Sequence, residues 1–319
     1  MPGVAERPGL VVHHPDGEPL PSGVRLERVV DVPAHEGPVY AADEDALYVT
    51  TVPVRNSPHA EPRVAIVRIA LNGLRFPLAS SAVSALRDPA GAANGMTLSP
   101  DGGLLVCEQG SFGSPAAITR IDRRTGERER VVVDQVDGMP LNSPNDVVVA
   151  RDGAIWFTDP SYGYLQGFRP APRRADAVYR HDPATGRTRV VAEDLDKPNG
   201  LAFSPDERVL YVADSGANHE PGTYDPRRPH HVVAYDVVDG VRLGRRRAFA
   251  DITPGFPDGI KTDAAGRVYV SSGDGVQIRA TDRTLLGEIR LPGAVNFTFG
   301  GPDGDVLFIT TDTAVWAYR

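Results

Sequence analysis

The sequence has little cysteine, few aromatic residues and no long apolar run. The single cysteine among 319 residues, Cys107, excludes an internal disulfide, and its apolar surroundings at 104–107 predict a buried, inert thiol. No window approaches the roughly 18 apolar residues of a membrane span, so no membrane partner is expected. Residues 1–17 contain no basic segment followed by an apolar stretch, so we expect no signal peptide and a cytoplasmic protein.

An excess of basic charge is also absent, since 34 Lys and Arg face 42 Asp and Glu, a formal net charge of -8. An acidic protein gains nothing from counterion release, so nucleic-acid binding is not expected. The three arginines at 245–247 are typical of the solvated face of an outer strand. The eight histidines show no zinc-binding spacing, and no GxSxG elbow, P-loop or GxGxxG motif is present. These absences argue against structural zinc, serine hydrolases and nucleotide enzymes.

An internal repeat runs through most of the chain. Each copy has a polar residue, a short strand, a turn of the SPDG or AAGR kind and a second apolar strand. Such turns supply the positive φ of a tight hairpin, and two further strands follow each hairpin. Four antiparallel strands per repeat make one propeller blade. Five copies and a sixth, degenerate one open at these residues: Asn94, Asn145, Asn199, Asp258, Asn296 and Glu36.

The number and spacing of the repeats predict an all-β protein, a six-bladed β-propeller with four antiparallel strands per blade. A four-stranded blade needs about 40 to 50 residues, which suits the distances between the starts. The last copy, 296–319, has room for only three strands, so we expect residues 24–32 to complete it and close the ring. The chain is then one propeller domain over 1–319, with 1–23 as an N-terminal extension and 24–319 as the propeller.

The six opening residues are predicted to converge at the mouth of the central channel. All six carry side-chain oxygen atoms, and two of them, Glu36 and Asp258, are carboxylates. Burying two carboxylates together is costly unless a proton or a cation compensates, and an all-oxygen set suits a hard cation. The alternative is that these residues only cap strands and turns. We expect one divalent cation, calcium, with magnesium, manganese and zinc as alternatives.

A second ring of acidic residues ends the second strands and either lines a substrate cleft or caps the following loops. Long inserts follow two of its members and are predicted to form a lid or mobile surface loops. Their aromatic residues, Tyr162, Tyr164, Phe168 and Tyr224, are candidate cleft walls. His35, directly before Glu36, could reach the rim, although a structural role is favoured. The members of this second ring are Glu108, Asp159, Asp214 and Asp274.

The repeats together resemble the SMP-30/gluconolactonase/LRE-like family from about residue 25 to the C-terminus. The motifs are HEGPVY, NGMTLSPDGGLLVCEQG, LNSPNDVVVARDGAIWFTDPSYG, KPNGLAFSPDERVLYVADSG, PDGIKTDAAGRVYVSSGDG and NFTFGGPDGDVLFITTD. LNSPND and FTDPSYG are similar to the bacterial gluconolactonase branch. Ser143 stands where the animal regucalcin branch carries Arg, and Gln109 stands where the bacterial branch commonly carries His. The resemblance implies a calcium-dependent lactonase on a six-bladed propeller.

Carried over position by position, the resemblance implies metal ligands at Glu36, Asn199 and Asp258. Asn145 would lie near the metal as a ligand or a substrate contact, and Asp258 would also act as the catalytic base. We expect catalysis to involve Asp258 and Asn145. The residues expected to contact the substrate are Asn94, Asn296, Asp159 and Tyr162.

The expected partner is a small-molecule lactone such as gluconolactone, hydrolysed by a metal-polarised carbonyl and an activated water. Two alternatives remain open. The first is another metal-dependent small-molecule enzyme at the same site: an esterase, a phosphotriesterase, or a cyclase or isomerase of secondary metabolism. The second is a non-enzymatic propeller in which calcium is structural. The chain is expected to act as a monomer or a dimer.

Overall fold

A computed structural model describes residues 9–13, 25–219 and 222–319, and six antiparallel sheets surround a central channel. The six-bladed propeller predicted from the repeat is therefore confirmed. Within these residues, two short helices interrupt the strands, a 3-10 helix at Ser80–Ala82 and the α-helix α1 at Tyr162–Leu165. In the described part of the chain, no helix is long and apolar enough to cross a membrane.

Two strands precede the blades, β1 (Gly9–Val12) and β2 (Leu26–Asp31). The strands of each blade are listed from the channel outward. Blade 1 contains β3 (Ala34–Ala41), β4 (Ala46–Thr51), β5 (Ile66–Ala70) and β6 (Val83–Arg87). Blade 2 contains β7 (Ala93–Leu98), β8 (Leu104–Glu108), β9 (Ala117–Ile121) and β10 (Arg128–Val133). A small hairpin follows, β11 (Gln135–Val136) and β12 (Met139–Pro140).

The remaining blades repeat this order. Blade 3 contains β13 (Val147–Val149), β14 (Ile155–Asp159), β15 (Ala177–Asp182) and β16 (Arg187–Ala192). Blade 4 contains β17 (Pro198–Phe203), β18 (Val209–Asp214), β19 (His231–Val238) and β20 (Arg242–Asp251). Blade 5 contains β21 (Ile260–Thr262), β22 (Val268–Ser272), β23 (Gly275–Arg279) and β24 (Leu285–Arg290). Blade 6 contains β25 (Ala294–Gly300), β26 (Val306–Thr311) and β27 (Ala314–Tyr318).

The N-terminal segment closes the ring. Strand β2 pairs antiparallel with β27, with Leu26 opposite Tyr318, and so supplies the fourth strand of blade 6 as predicted from residues 24–32. The free edge of the last blade is thereby covered, which removes an open seam. Within 1–23, set apart in the sequence as an extension, Gly9–Val12 pairs with β24 and adds a fifth strand to blade 5. The sequence did not indicate this extra strand.

The core consists of apolar clusters between neighbouring blades. One of them joins blades 6 and 1 through fully buried Leu47, Phe308 and Val315. Cys107 packs in the cluster between blades 2 and 3, and burial raises the pKa of its thiol well above the usual value. The prediction of a buried cysteine is confirmed.

A glycine after the opening polar residue lets neighbouring inner strands approach closely. The N–H of Gly95 donates to the carbonyl of Asn145 at 2.7 Å, and that of Gly200 donates to the carbonyl of Asp258 at 3.2 Å. A Cβ at Gly200 would lie 2.2 Å from the carbonyl oxygen of Asp258, closer than any side chain tolerates. The Asn-Gly pairs of the repeat therefore have a packing cause, and the contacts hold successive opening residues side by side around the channel.

Candidate active site

Two carboxylates from blades 1 and 5 meet at the mouth of the channel. Glu36 on β3 is 4% exposed, and its carboxyl group shares a hydrogen bond with that of Asp258, directly before β21. Burial raises the pKa of both groups, and the charge of Glu36 raises that of Asp258 further. Two carboxyl groups in contact, one buried and one half-buried, do not both ionise readily without a compensating charge. The pair therefore has to hold a proton or a cation.

Neighbouring blades fix both carboxylates. Asn296 donates through Nδ2 to Oε2 of Glu36 at 2.7 Å, and this bond favours the ionised form. The side chain of Asn199 hydrogen-bonds to Asp258, and the backbone N–H of Asp258 donates to Oγ of Ser271 at 2.9 Å. Each predicted carboxylate ligand is thus held by an amide side chain from another blade.

Asn145 and Asn94 complete the ring of opening residues. Asn145 is 5% exposed, and its backbone N–H donates to the carbonyl of Thr158 at 2.9 Å. The side-chain oxygen of Asn94 is buried and, within the described residues, accepts no hydrogen bond. No group of three or more His, Cys, Asp or Glu suited to a metal occurs in that same part of the chain. A cation here would consequently depend on two carboxylates supplemented by amide oxygens.

Tyr162 lies beside these residues at the start of α1. Its side chain is 6% exposed, hydrogen-bonds to Asn199, and donates to the carbonyl of Ser215 at 3.4 Å. Burial, and next the charge of Asp258, raise the pKa of Tyr162 well above its usual value. The structure therefore brings Tyr162 together with Asn199 and Asp258, while its contact with substrate stays a prediction.

Asp159 has a contact of another kind. It is completely buried, and its two oxygens accept the backbone N–H groups of Asn142 and Ser143, both at 2.8 Å. Asp214 likewise accepts from the backbone of Asp196 at 3.1 Å and from Lys197 at 2.9 Å. Asp159 and Asp214 therefore cap loops, which is one of the two roles predicted for the second ring; the other was lining a substrate cleft. The role predicted for Asp159 as a substrate contact has no exposed surface to act through in this structure.

The other members of the second ring are also occupied elsewhere or turned outward. Glu108 is paired with Arg128 on the outer strand of its own blade. Asp274 is an exposed turn residue between β22 and β23. Phe168 is fully buried, whereas Tyr164 and Tyr224 are 48% and 45% exposed. Of the four candidate cleft walls, Tyr162 is the one shown in contact with an opening residue.

A histidine contact was missed by reading the sequence. His35 and Asp312 line a cavity of about 340 Å³ together with Asp258, and Nδ1 of His35 lies 2.8 Å from Oδ1 of Asp312. Sequence reasoning favoured a structural role for His35, and its position before Glu36 was the one available signal. Nothing in the repeat marked Asp312, which lies in the turn between β26 and β27.

The architecture and the site define the class: a six-bladed propeller with a polar, doubly acidic centre at the channel mouth. Residues 34–313 match the family described as SMP-30/Gluconolactonase/LRE-like region, and the chain belongs to that family. The resemblance seen in the sequence is thereby confirmed.

Similar proteins include several lactonases. A gluconolactonase of Zymomonas mobilis is 31% identical over 303 residues, covering 91% of this chain and 79% of that protein. The pentonolactonase XacC of Haloferax volcanii is 27% identical over 90% of this chain and 84% of its own length. The solved structure of XC5397 from Xanthomonas campestris, described as a gluconolactonase, has a TM-score of 0.78 at 33% identity. It covers 99% of this chain and 95% of that one.

Proposed function

We propose that the chain is a metal-dependent lactonase that hydrolyses a sugar lactone such as gluconolactone. The observation that carries this proposal is the hydrogen-bonded carboxyl pair, Glu36 and Asp258, at the channel mouth. The lactonase relatives, which match this chain over about nine-tenths of its length, support the reaction class. A cytoplasmic location and a monomeric or dimeric state stay predictions.

The residues present fit a hard divalent cation. Two carboxyl groups in contact, one buried and one half-buried, favour a compensating positive charge, and the side-chain oxygen of nearby Asn94 accepts no hydrogen bond from the described residues. All-oxygen donors suit calcium, with magnesium, manganese and zinc as alternatives. The holders would be Glu36, Asn145, Asn199 and Asp258. Such a cation, when bound, supplies Lewis-acid polarisation of the lactone carbonyl.

The chain's own residues would handle the water and its proton. Water adds to the carbonyl carbon and passes its proton to Asp258 as the general base. The ring C–O bond then breaks, and the proton returns to the departing ring oxygen, which gives the open hydroxy acid. Asn199 orients the Asp258 carboxylate through their hydrogen bond. Asn145 and Asn94 would orient the substrate by hydrogen bonds from the same ring.

The test is lactone hydrolysis, followed by pH-indicator proton release, on a panel that also contains a simple ester and a phosphotriester. Each substrate is measured with chelator and again after calcium is restored. Lactone turnover that disappears with chelator and returns with calcium supports both the site and the reaction. Turnover of the ester or phosphotriester alone identifies another enzyme on the same centre. Calcium-dependent thermal stability without turnover of any substrate identifies a structural calcium site.

A further inference from the structure

The loops on the face that carries the candidate active site are strongly asymmetric. Between their second and third strands, blades 1, 3 and 4 have long connections, residues 52–65, 160–176 and 215–230. In blades 5 and 6 the same connections are only 273–274 and 312–313. The connections at the channel mouth are consequently long in blades 1, 3 and 4 and short in blades 5 and 6.

The short connections of blades 5 and 6 line a cavity together with Asp258. Its volume, about 340 Å³, lies in the range of small-molecule sites. Small residues line much of it, among them Gly255, Gly273 and Gly293. A Cβ at Gly255 would lie 2.9 Å from the backbone nitrogen of Gly273, whereas nothing lies within 4 Å of a Cβ at Gly293. The loops thus pack closely at one point and leave open space beside it.

The polar side chains of this cavity are suited to hydroxyl groups. His35 and Asp312 keep 30% and 60% of their side-chain surface exposed while they contact each other. A carboxylate beside Nδ1 favours the proton on that nitrogen. Nε2 of His35 and Oδ2 of Asp312 then remain available to a ligand, since the described residues offer neither a further hydrogen bond. Neighbouring hydroxyls of one ligand can donate to Oδ2 of Asp312 and form a hydrogen bond with Nε2 of His35, because a hydroxyl is both donor and acceptor.

The charge of the surroundings limits the ligand class. Asp312 lies in the same cavity as Asp258, and Glu36 contacts Asp258, so an anionic substituent would be repelled. Phe256 is the one aromatic side chain of the lining, while Asn218 and Ser272 add polar groups. A neutral, hydroxylated substituent fits this lining better than a long apolar chain.

We propose, on the basis of the lactonase function above, that His35 and Asp312 form the hydroxyl-binding subsite for the substrate. The reacting carbonyl faces Asp258, and the hydroxyl-bearing carbons of the lactone lie over blades 5 and 6. His35 contacts the substrate directly, and Asp312 both accepts a hydrogen bond from a substrate hydroxyl and orients the imidazole ring. The subsite selects polyhydroxylated lactones over unsubstituted ones.

A purely structural role is the competing explanation. His35 belongs to blade 1 and Asp312 to blade 6, so their contact also ties the first blade to the last. Thr310 adds a second tie, since its hydroxyl donates to the carbonyl of His35 at 2.7 Å. A tie between blades would affect every substrate alike, whereas a hydroxyl subsite would affect hydroxylated substrates selectively.

The experiment measures kcat/KM for gluconolactone and for δ-valerolactone, which lacks every hydroxyl, in the 319-residue chain with calcium. The readout is the ratio of the two values, because any inactive fraction of a variant cancels. We expect His35→Ala to lower this ratio about five- to tenfold, the value of one or two hydrogen bonds, chiefly through a higher KM for gluconolactone. The matched control is His13→Ala, which removes a similar histidine–carboxylate contact, 2.9 Å from Glu288, on the outer sheet edge of blade 5.

The outcomes separate the two proposals. A His35→Ala ratio equal to that of wild type and of His13→Ala overturns the subsite and leaves the lactonase function standing. A wild-type enzyme that prefers δ-valerolactone overturns the subsite as well. If wild type hydrolyses gluconolactone alone, an unchanged KM in His35→Ala is the overturning result. A wild-type chain that hydrolyses no lactone overturns the proposed function, and the subsite with it.

Discussion

Asn296 in the last blade donates a hydrogen bond of 2.7 Å to Glu36 in the first, across a separation of 260 residues. The amide of Asn296 is itself oriented, since its oxygen accepts the N–H of Phe297 at 2.8 Å. The contact between blades 6 and 1, where the ring closes, therefore also orients a carboxylate of the candidate active site. Blade 6 thus supplies a donor that orients the carboxylate facing the channel from blade 1.

Replacing Asn296 with Ala should weaken the cation site. Burial raises the pKa of Glu36, and the variant loses one of the groups that oppose this by favouring the ionised form. Loss of a residue that orients a metal ligand typically lowers metal affinity about 10- to 100-fold. We expect a calcium Kd raised by that factor, measured by calorimetric titration of the chelator-treated protein, and a parallel loss of lactone turnover at limiting calcium.

The control for this variant is Asn56→Ala, since Asn56 is exposed in the long loop of blade 1. It should leave the calcium Kd unchanged. An Asn296→Ala protein that binds calcium with wild-type affinity would show that the bond to Glu36 does not support a cation site. Thermal melting of both variants verifies that they are folded.

Asp258→Asn should abolish turnover while the chain stays folded. The substitution keeps the size of the side chain but removes the general base and one of two carboxylates in contact. Because burial and the charge of Glu36 raise the pKa of Asp258, the ionised pair is unfavourable without a cation. We expect turnover to be abolished, the Tm in chelator to rise by about 2 °C, and the Tm increase on adding calcium to be lost. Wild-type turnover in this variant would falsify the assignment of Asp258.

The repeat in the sequence was enough to predict the blades and their inner ring, because equivalent positions of a propeller share one geometry. The opening residues Glu36, Asn199 and Asp258 meet as that symmetry requires. The contact between His35 and Asp312 breaks the symmetry, since it joins non-equivalent positions across the seam of the ring. It depends on the short turn of blade 6 rather than on any motif, so no pattern in the sequence marked it.

For a related reason, the sequence did not decide whether Asp159 caps a loop or lines a substrate cleft. Its position at the end of β14 places it near the channel mouth, but the direction of its side chain depends on where the loop after β12 runs. That loop brings two backbone N–H groups, of Asn142 and Ser143, to its carboxylate. Every residue type except proline has the same backbone donor, so these contacts leave little trace in the sequence.

Gly200→Ala should be costly although Gly200 needs no unusual backbone angle. The added methyl group would lie 2.2 Å from the carbonyl oxygen of Asp258, so the two inner strands have to move apart. Overpacking of this kind costs about 1–3 kcal/mol of unfolding free energy, and here it also displaces a carboxylate of the site. We expect a lower denaturation midpoint and a lower kcat, both measured on the purified variant.

The matched variant is Gly113→Ala on the exposed loop of blade 2, where the nearest atom to an added Cβ is 3.9 Å away. It should cost less than about 0.5 kcal/mol, the usual limit for a surface substitution. Equal effects of the two substitutions would contradict the close approach of β17 to the segment before β21.

Asp159→Asn should change how stability depends on pH. Burial raises the pKa of Asp159 to about 7, against the lowering effect of the N–H groups of Asn142 and Ser143. Between its ordinary pKa near 3.8 and about 7, the folded chain therefore keeps a proton that the unfolded chain has released. The contribution of Asp159 to the free energy of unfolding is complete below about pH 4. It falls as pH rises, by at most about 1.4 kcal/mol per pH unit.

The asparagine variant lacks this titration, so the difference in unfolding free energy between wild type and Asp159→Asn should shrink as pH rises from 4.5 to 7. Urea unfolding at several pH values in this window measures it, and subtracting the variant removes the contribution of every other titrating group. Asp303→Asn, at an exposed turn of blade 6, is the control for the loss of a carboxylate away from the loop of Asp159. A difference that grows with pH would mean that the two N–H groups outweigh burial, with the carboxylate ionised in the folded protein. Asp159 would then stabilise its loop as a charged cap.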